Sequence, residues 1–330
     1  MDLSTSYLGL KLNSPLIVGA SPFADEIDMA CRLQDAGAAA IVMRSLFEEQ
    51  IYLDELARAP GAPKGNARVP EDGDCFPLQS EYQLSPKTYL RQIGSLKSVL
   101  AVPVIASLNG HHSGGWVDYA RRFEEAGADA IELNLYHIAT DPAVSAQEIE
   151  REMLETVRTV KESVRVPIAV KLQPFHSSLA NFARELEGAG ADGIVLFNRF
   201  YQSEFIVGEE KAEQNPRLSD QSELLLRLRW AAILFPHARI SIAVSGGVHG
   251  GEDVIKAILA GASGVQMVSA LLRYGPRFLS TLTDGLRKWM NENHYRDLGE
   301  FRGSMSLEHC PDAAAFERGT YQRNLQKRWA

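Results

Sequence analysis

A lysine inside an apolar, strand-like segment is the residue of this sequence best suited to chemistry. In the segment 168–172, the alternation of side chains along a strand places Ala169 and Lys171 on the same face. The small Ala169 leaves room for the Lys171 amine near the centre of a fold, where a buried ammonium group needs an anionic partner or a ligand. We therefore expect Lys171 either to form an ion pair with Glu132 or to hold an electron-rich ligand through its charge.

A glycine-rich stretch in the C-terminal third has the composition of a phosphate-binding loop. Ser-Gly-Gly at 245–247 offers backbone N–H groups that no side chain covers, and Gly-Gly at 250–251 precedes a helical segment. Backbone N–H groups beside a helix N-terminus bind anions. Ser269 and Ala270, one strand later, would complete such a site. Because glycine pairs also occur in ordinary turns, a turn without a ligand is the alternative.

Both groups of residues need a scaffold, and a motif that occurs four times indicates which one. Ala-Gly-Ala follows a helical segment and precedes an apolar segment at 36–38, 126–128, 189–191 and 260–262. Glycine can adopt the left-handed conformation that ends a helix, and the small alanines let the next strand pack close by. Repeated joints of this kind indicate βα units with buried parallel strands.

Eight short apolar segments have the length of buried strands, and amphipathic helical segments lie between them. The predicted strands are 16–20, 40–45, 103–108, 130–135, 167–172, 193–198, 240–245 and 264–270. This alternation predicts an α/β fold of the (β/α)8 TIM-barrel type, with a doubly wound open sheet as the competing architecture. We expect one domain over 1–330, with the barrel at about 15–292 and a tail at about 296–330.

Three segments lie outside the barrel pattern. The alternating residues 7–12 predict a β-hairpin that covers the barrel floor. The long insert at 46–86 after the second strand is rich in Pro, Gly and acidic residues and is typical of a lid or an interface arm. A second polar insert is expected at 199–220.

Polar residues end nearly every predicted strand. In a parallel barrel the C-terminal ends of the strands meet at one mouth, where the chemistry takes place. The sequence therefore predicts a ring of polar groups around one site, formed by Ala20, Ser21, Arg44, Ser45, Asn109, Asn134, Lys171, Asn198, Ser245, Gly246, Gly247 and Ser269.

Composition excludes several other classes of function. The chain has 330 residues and a formal net charge of −8, with no basic run that would suit nucleic acid. No apolar stretch approaches the roughly 20 residues of a membrane helix, and the polar N-terminus lacks the form of a signal peptide. The scattered Cys31, Cys75 and Cys310 favour a reducing cytoplasm and suggest neither disulfides nor a metal site.

With these residues in view, the chain resembles the dihydroorotate dehydrogenase family, most closely its soluble class 1 branch, over roughly residues 3–303. The likeness is sharpest in the C-terminal third, where the family binds the phosphate of FMN. The matching segments are Pro15, 19–21, 132–134, 170–172, Asn198, 245–248, 258–263, 265–266, 270–271, 275–276 and 301–303.

The resemblance implies a role for most of the strand-tip residues. Lys171 would lie beside the flavin pyrimidine ring and stabilise negative charge on the reduced cofactor. Asn134 and Asn198 would face both cofactor and substrate. The other implied FMN-binding residues are Ala20, Ser21, Arg44, Ser45, Asn109, Ser245, Gly246, Gly247, Ser269 and Ala270.

The chain departs from the family pattern in the half of the site that binds substrate. His137 stands at the position of the family's catalytic cysteine, and Ala139 replaces a substrate-binding asparagine. Arg44 replaces a lysine, and its planar fork could pair with a carboxylate or a flavin carbonyl in two contacts. The segment 80–86 lacks the family's asparagines, and 217–220 replaces a glycine-rich loop.

A histidine suits the role of general base because its ordinary pKa lies near working pH. We expect His137 to be that base, with a loop histidine that only bonds to backbone as the alternative; His111, His112 and His176 are weaker candidates. An exposed structural arginine is the corresponding alternative for Arg44.

The resemblance implies an FMN-dependent oxidoreductase that oxidises dihydroorotate to orotate in pyrimidine biosynthesis, or a related compound. Two alternatives stay open: a Schiff-base lyase that uses Lys171 on a phosphate ligand, and a flavoprotein without catalysis. The family's habit is a homodimer. Its soluble members pass electrons to fumarate or to an iron–sulfur partner, and this chain has no cysteine cluster for such a centre, so that centre would lie on a separate electron-transfer partner.

Overall fold

In the computed structural model of this protein, eight parallel strands close into a barrel. The structure describes residues 1–58, 84–110, 115–200, 203–206, 211–214, 217–310 and 312–327. With two antiparallel pairs outside the barrel, the described residues form twelve strands: β1 Thr5–Tyr7, β2 Leu10–Leu12, β3 Leu16–Ser21, β4 Ala40–Phe47, β5 Val104–Gly110, β6 Ala130–Leu135, β7 Ile168–Leu172, β8 Gly193–Leu196, β9 Ser203–Ile206, β10 Lys211–Gln214, β11 Ser241–Ser245 and β12 Gly264–Met267. The barrel order is β11-β12-β3-β4-β5-β6-β7-β8. This closure confirms the predicted TIM barrel and excludes the open sheet.

Helices follow most of the barrel strands and cover the outside of the sheet. They are α1 Ile27–Asp35, α2 Glu48–Arg58, α3 Pro86–Val99, α4 Trp116–Glu125, α5 Ala146–Ser163, α6 Leu179–Gly188, α7 Leu224–Leu234, α8 Gly251–Leu259, α9 Ser269–Tyr274, α10 Phe278–Glu292 and α11 Ala313–Gln326. Their apolar faces and the outward side chains of the strands form one continuous core, for example where Tyr89 of α3 stacks on Phe123 of α4 at 5.1 Å between ring centroids. In the part of the chain that is described, no helix combines the length and apolarity that crossing a bilayer requires.

The glycines of the repeated joints adopt the conformation that the sequence predicts. Gly37, Gly127, Gly190 and Gly261 have φ angles of 108°, 98°, 99° and 112°. A side chain in this left-handed region would clash with the following carbonyl, so each joint depends on glycine. The joints let each helix end abruptly and return the chain to the barrel floor, which leaves the opposite ends of the strands free to form a site.

The N-terminal hairpin closes the floor of the barrel, as the alternation of 7–12 predicts. β1 and β2 pair antiparallel, with Tyr7 opposite Leu10. Tyr7, Leu8 and Leu12 are buried and pack with inward side chains of the barrel, such as Ile17 and Val42. The mouth at the other end is therefore the route by which ligands reach the interior.

Two predicted strands are too long at their C-terminal ends. β8 ends at Leu196 and not at 198, and β12 ends at Met267 and not at 270. β12 pairs with β3 only as far as Met267 and Val18, where the β3–β4 register shifts and the regular ladder ends. Ser269 consequently begins α9 and does not end a strand.

The predicted inserts are only partly described. Residues 46–47 still belong to β4, and α2 begins directly after them, so the insert starts later than expected. The segment 80–83 and the candidate bases His111 and His112 lie outside the described residues. In the second insert, β9 and β10 form a small antiparallel pair.

Candidate active site

A cavity of about 1010 Å³ opens at the C-terminal ends of the barrel strands, and we call it the main cavity. Ligand sites of small-molecule enzymes have this size and this position in the fold. It brings together most of the predicted strand-tip residues: Ala20, Ser21, Arg44, Ser45, Asn109, Asn134, Lys171, Asn198, Ser245, Gly246 and Ser269. Gly247, Ala270 and His137 are not among the residues that line it.

Lys171 of β7 stands at the base of the main cavity, with a side chain that is only 7% exposed. Its Nζ lies 3.2 Å from Glu132 Oε1 on β6 and 3.3 Å from Gln266 Oε1 on β12. Gln266 Nε2 in turn donates to Glu132 Oε2 at 2.6 Å. The ion pair that the sequence offered as an alternative is thus present, and the same amine also faces the ligand cavity.

The floor below this cluster is closed by the hairpin residue Tyr7. Burial raises the pKa of the Tyr7 hydroxyl far above its ordinary value, and the negative charge of Glu132 acts in the same direction. Tyr7 therefore stays neutral beneath the cluster. Among the described residues, Glu132 is the one carboxylate that pairs with Lys171, and it does so inside the barrel.

An unpaired acceptor in the wall indicates that the main cavity is built for a polar ligand. Asn134 of β6 is 5% exposed, and its Oδ1 has no hydrogen-bond partner among the described residues. A buried polar atom without a partner is costly unless a ligand or water supplies one. Asn198 differs, because its Oδ1 accepts from the backbone N–H of Arg199 at 2.9 Å.

Arg44 is held by an acid that sequence reasoning missed. Its Nε lies 3.0 Å from Asp25 Oδ1, and its Nη2 lies 2.6 Å from Asp25 Oδ2. Burial raises the pKa of the Asp25 carboxyl, an effect that the Arg44 charge opposes. The two contacts that the sequence predicts for the Arg44 guanidinium are therefore made with Asp25 and not with a ligand. They fix the guanidinium at the cavity wall.

The second missed residue is Arg227 of α7, which lies beside the predicted phosphate loop. Its side chain is almost fully buried, its Nε donates to the backbone carbonyl of Ser245, and its Nη1 donates to that of Glu223. A Cβ placed on Gly246 would lie 3.1 Å from Arg227 Nη2. This contact would be tighter than usual, and the φ of 93° at Gly246 favours glycine, so the loop backbone and the guanidinium meet in one corner.

Serine side chains hold the same corner together. Gly247 N donates to Ser219 Oγ at 3.3 Å, and Ser219 N donates to Ser269 Oγ at 3.0 Å. A Cβ on Gly247, whose φ is 78°, would lie 2.5 Å from the backbone nitrogen of Leu224. Gly247 therefore packs against Leu224 outside the cavity and does not line it. Ala270 is buried and does not line the cavity either.

The main cavity carries a surplus of positive charge. Among its described lining residues the cations are Arg44, Lys171, Arg199, Arg217 and Arg227, and the one carboxylate is Glu223. Glu223 lies 3.5 Å from Arg199 and 3.4 Å from Arg227. Asp25 and Glu132 compensate Arg44 and Lys171 from behind the wall. Five cations less these two carboxylates and Glu223 leave two, a surplus that suits one phosphate group.

These features fit FMN, the cofactor that the resemblance implies. The cavity has the volume for it, the corner at Gly246 and Arg227 suits a phosphate, and Lys171 with Asn134 suits a polar ring.

In the described residues no group of three or more His, Cys, Asp or Glu side chains is placed to hold a metal ion.

His137 lies beside the main cavity and not in it. It lines a neighbouring cavity of about 380 Å³, the side cavity, formed by the loop after β6, the first half of α5 and the segment after β7. Its sequence neighbours Tyr136 and Ile138 line the main cavity instead. His137 is half-buried.

His176, a weaker candidate, lies in the wall of the side cavity. Its ring stacks on Phe182 at 4.4 Å between centroids, and its Nδ1 lies 3.4 Å from Glu150 Oε1. Burial lowers the pKa of His176 below its ordinary value of 6.5, and the Glu150 carboxylate opposes this shift only in part.

We expect the free energy of unfolding to fall as pH drops below about 6.5 because of His176. Just below that pH the unfolded chain binds the proton more readily than the folded chain, so acid favours unfolding; at higher pH the ring is neutral in both states and has no effect. His176→Phe should flatten this part of the profile. Thermal unfolding of both proteins at about pH 5.5 and 7.5 measures the effect, and an equal fall of Tm in the two proteins would contradict it.

Comparison with known proteins gives one consistent result. Residues 80–290 match the family model described as dihydroorotate dehydrogenase. A protein of Aeropyrum pernix, provisionally named dihydroorotate dehydrogenase A (fumarate), is 30% identical over 215 residues, which cover 62% of this chain and 67% of that protein.

Two further relatives match nearly the whole chain. The catalytic subunit of dihydroorotate dehydrogenase B (NAD(+)) of Thermoplasma volcanium is 27% identical over 92% of this chain and 98% of that protein. The NAD-dependent dihydropyrimidine dehydrogenase subunit PreA of Escherichia coli is 23% identical over 92% of this chain and 76% of that protein.

Proposed function

Because this chain belongs to the dihydroorotate dehydrogenase family, whose members are FMN-dependent oxidoreductases acting on CH–CH bonds, we propose that it oxidises dihydroorotate to orotate. The observation that carries the proposal is the main cavity, which is lined both by a buried lysine and by an arginine–glycine corner. The first suits a flavin ring and the second its phosphate.

The cavity residues would then have distinct roles in binding and catalysis. FMN, when bound, supplies the hydride acceptor. Gly246 and Arg227 would hold its phosphate, and Lys171 would stabilise negative charge beside its ring. Asn134 would use its unpaired Oδ1 to accept from cofactor or substrate and so orient them.

The names of two relatives support dihydroorotate over a ring without a carboxylate. The missing family asparagines and the relative named for dihydropyrimidines support a dihydropyrimidine without a carboxylate as a second candidate. Membership of an oxidoreductase family speaks against the lyase and against a flavoprotein without catalysis.

Anaerobic mixing of the flavin-loaded protein with dihydroorotate tests the proposal. Oxidation of the substrate must bleach the visible absorbance of the flavin, with orotate formed in equal amount. Dihydrouracil, which lacks the carboxylate, serves as the comparison. Bleaching by dihydrouracil alone would replace the first candidate with the second.

We also propose that His137 removes the substrate proton, although its ring lines the side cavity. Catalytic hydrogen bonds often tighten only when substrate is bound, so a position beside the main cavity is compatible with this role. His137→Ala should slow flavin reduction about a hundredfold while leaving FMN content unchanged. Stopped-flow reduction measures the rate, with Tyr136→Phe as the comparison because Tyr136 lines the main cavity. A slow Tyr136→Phe beside a normal His137→Ala would assign the base to Tyr136.

Two relatives are named as subunits, which supports a separate electron-transfer partner for this chain. Such a partner would supply the iron–sulfur centre for which the chain has no cysteine cluster. The homodimer, the cytoplasmic location and the place in pyrimidine biosynthesis stay predictions.

A further inference from the structure

The side cavity adjoins the main cavity and shares part of its wall. Ile138 and Phe200 line both spaces. Its volume of about 380 Å³ is that of a site for a small group and not of a packing defect. The two cavities therefore lie side by side, and a ligand that occupies both must pass Ile138 and Phe200.

The walls of the side cavity are unusually apolar for a surface. Phe175 is 63% exposed and Ile138 is 51% exposed, and both stand beside the exposed Val144 and Phe200. Phe175 and Phe200 meet edge to face at 4.9 Å between centroids. Large apolar side chains that cluster in a concave surface indicate a binding site for an apolar group.

One polar atom in this wall lacks a partner. Gln173, which follows β7 directly, is 8% exposed, and its Nε2 has no hydrogen-bond acceptor among the described residues. A buried amide N–H of this kind is costly unless a ligand supplies the acceptor. The side cavity therefore offers a donor for a carbonyl or ether oxygen.

The charges of the side cavity differ from those of the main cavity. Its described lining residues include no lysine and no arginine, and its one carboxylate, Glu150, faces His176. An anionic group would meet no lysine or arginine among these residues, and the Glu150 charge would repel it. The matching ligand group is therefore uncharged.

We propose that the side cavity binds an uncharged, apolar group with a carbonyl oxygen, attached to the substrate whose reacting ring lies beside Lys171. This inference rests on the proposed function and narrows it: the preferred substrate is a dihydropyrimidine with an apolar arm, larger than dihydroorotate itself. The carbonyl would accept from Gln173 Nε2, and the arm would cover Phe175 and Ile138.

Dihydroorotate and its derivatives with a phenacyl group on N1 or on N3 test the proposal. Each keeps the carboxylate and the reacting CH–CH bond, and the phenacyl group adds a carbonyl and a phenyl ring. We expect at least one derivative to reduce the bound flavin at a concentration roughly tenfold lower than dihydroorotate needs, because burial of a phenyl ring has about this effect.

Two variants locate the effect. Ala146→Trp, at the exposed first turn of α5, should fill the side cavity and abolish the preference while dihydroorotate still reduces the flavin. Gln173→Leu should lower the preference roughly fivefold without lowering Tm, because it removes an unpaired donor. Val99→Trp, at the exposed end of α3, is the control for an added indole.

The outcomes separate this inference from the proposed function. If dihydroorotate reduces the flavin but neither derivative is preferred, or if the preference survives in Ala146→Trp, the side cavity assignment is wrong and the proposed function stands. If neither dihydroorotate nor a derivative reduces the flavin, the proposed function is wrong and this inference falls with it. FMN content and Tm of every variant show that the protein is folded and loaded.

Discussion

Lys171→Met is expected to slow flavin reduction by dihydroorotate by about a thousandfold. Removing one group that stabilises developing negative charge in a closed site costs about two to three orders of magnitude, and the buried Lys171 amine lies among barrel side chains at the base of the main cavity. Stopped-flow mixing under anaerobic conditions measures the rate on protein whose FMN content has been matched to the parent.

The same change leaves Glu132 as a buried carboxylate without its cation. Breaking a buried ion pair on one side costs about 3–5 kcal/mol, so the single variant should also unfold more easily. The double variant Lys171→Met with Glu132→Gln should recover most of that stability and still reduce the flavin slowly. This separation distinguishes a direct role of the amine from general damage.

A surface ion pair provides the matched control. Lys161 lies 2.6 Å from Asp192, and both side chains are about one third exposed. Lys161→Met should cost no more than about 1 kcal/mol and leave the rate unchanged. A Lys171→Met protein that is reduced at the parent rate would remove the amine from the mechanism.

Arg227→Met is expected to raise the dissociation constant of FMN roughly 300-fold. Loss of a buried, hydrogen-bonded charge contact costs about 2–5 kcal/mol, and a 300-fold change corresponds to about 3.4 kcal/mol. The methionine keeps the apolar stem and leaves the backbone carbonyls of Ser245 and Glu223 without this donor. Fluorescence titration of the deflavinated protein with FMN measures the constant.

Riboflavin, which lacks the phosphate, makes this test specific. If Arg227 acts on the phosphate, the variant loses affinity for FMN and keeps its weaker affinity for riboflavin. Arg229→Met, an exposed arginine on the same helix, should bind both flavins as the parent does. Equal losses for the two flavins would mean that Arg227 only supports the fold of the corner.

The sequence predicts best those features that depend on regular spacing. The joint glycines, the strand positions and the shared face of Lys171 and Glu132 follow from the conformational range of glycine and the two-residue period of a strand. Strand ends are predicted less well, because β12 stops where its neighbour shifts register, and that shift has no sequence signal of its own.

The residues that were missed make their contacts across long separations in the chain. Asp25 meets Arg44 from 19 positions away, and Arg227 meets Ser245 from 18 positions away on a different element. One signal could have found Arg227: it is a charged residue in the apolar run Leu-Leu-Leu-Arg-Leu-Arg of α7, and its turn-spaced neighbours Leu224 and Ala231 are buried. The orientation of His137 depends on an irregular loop, for which spacing gives no rule.

Because the hairpin closes the barrel floor, ionic strength should affect the exposed arginines of the site more than the buried Lys171–Glu132 pair. Tyr7 shields the Lys171–Glu132 pair from the solvent below, so dissolved salt reaches that pair only through the mouth. Arg44 and Arg199 are about one quarter exposed and are open to screening by ions. Added salt should therefore slow the capture of anionic ligands, while the reduction potential set near Lys171 stays almost constant.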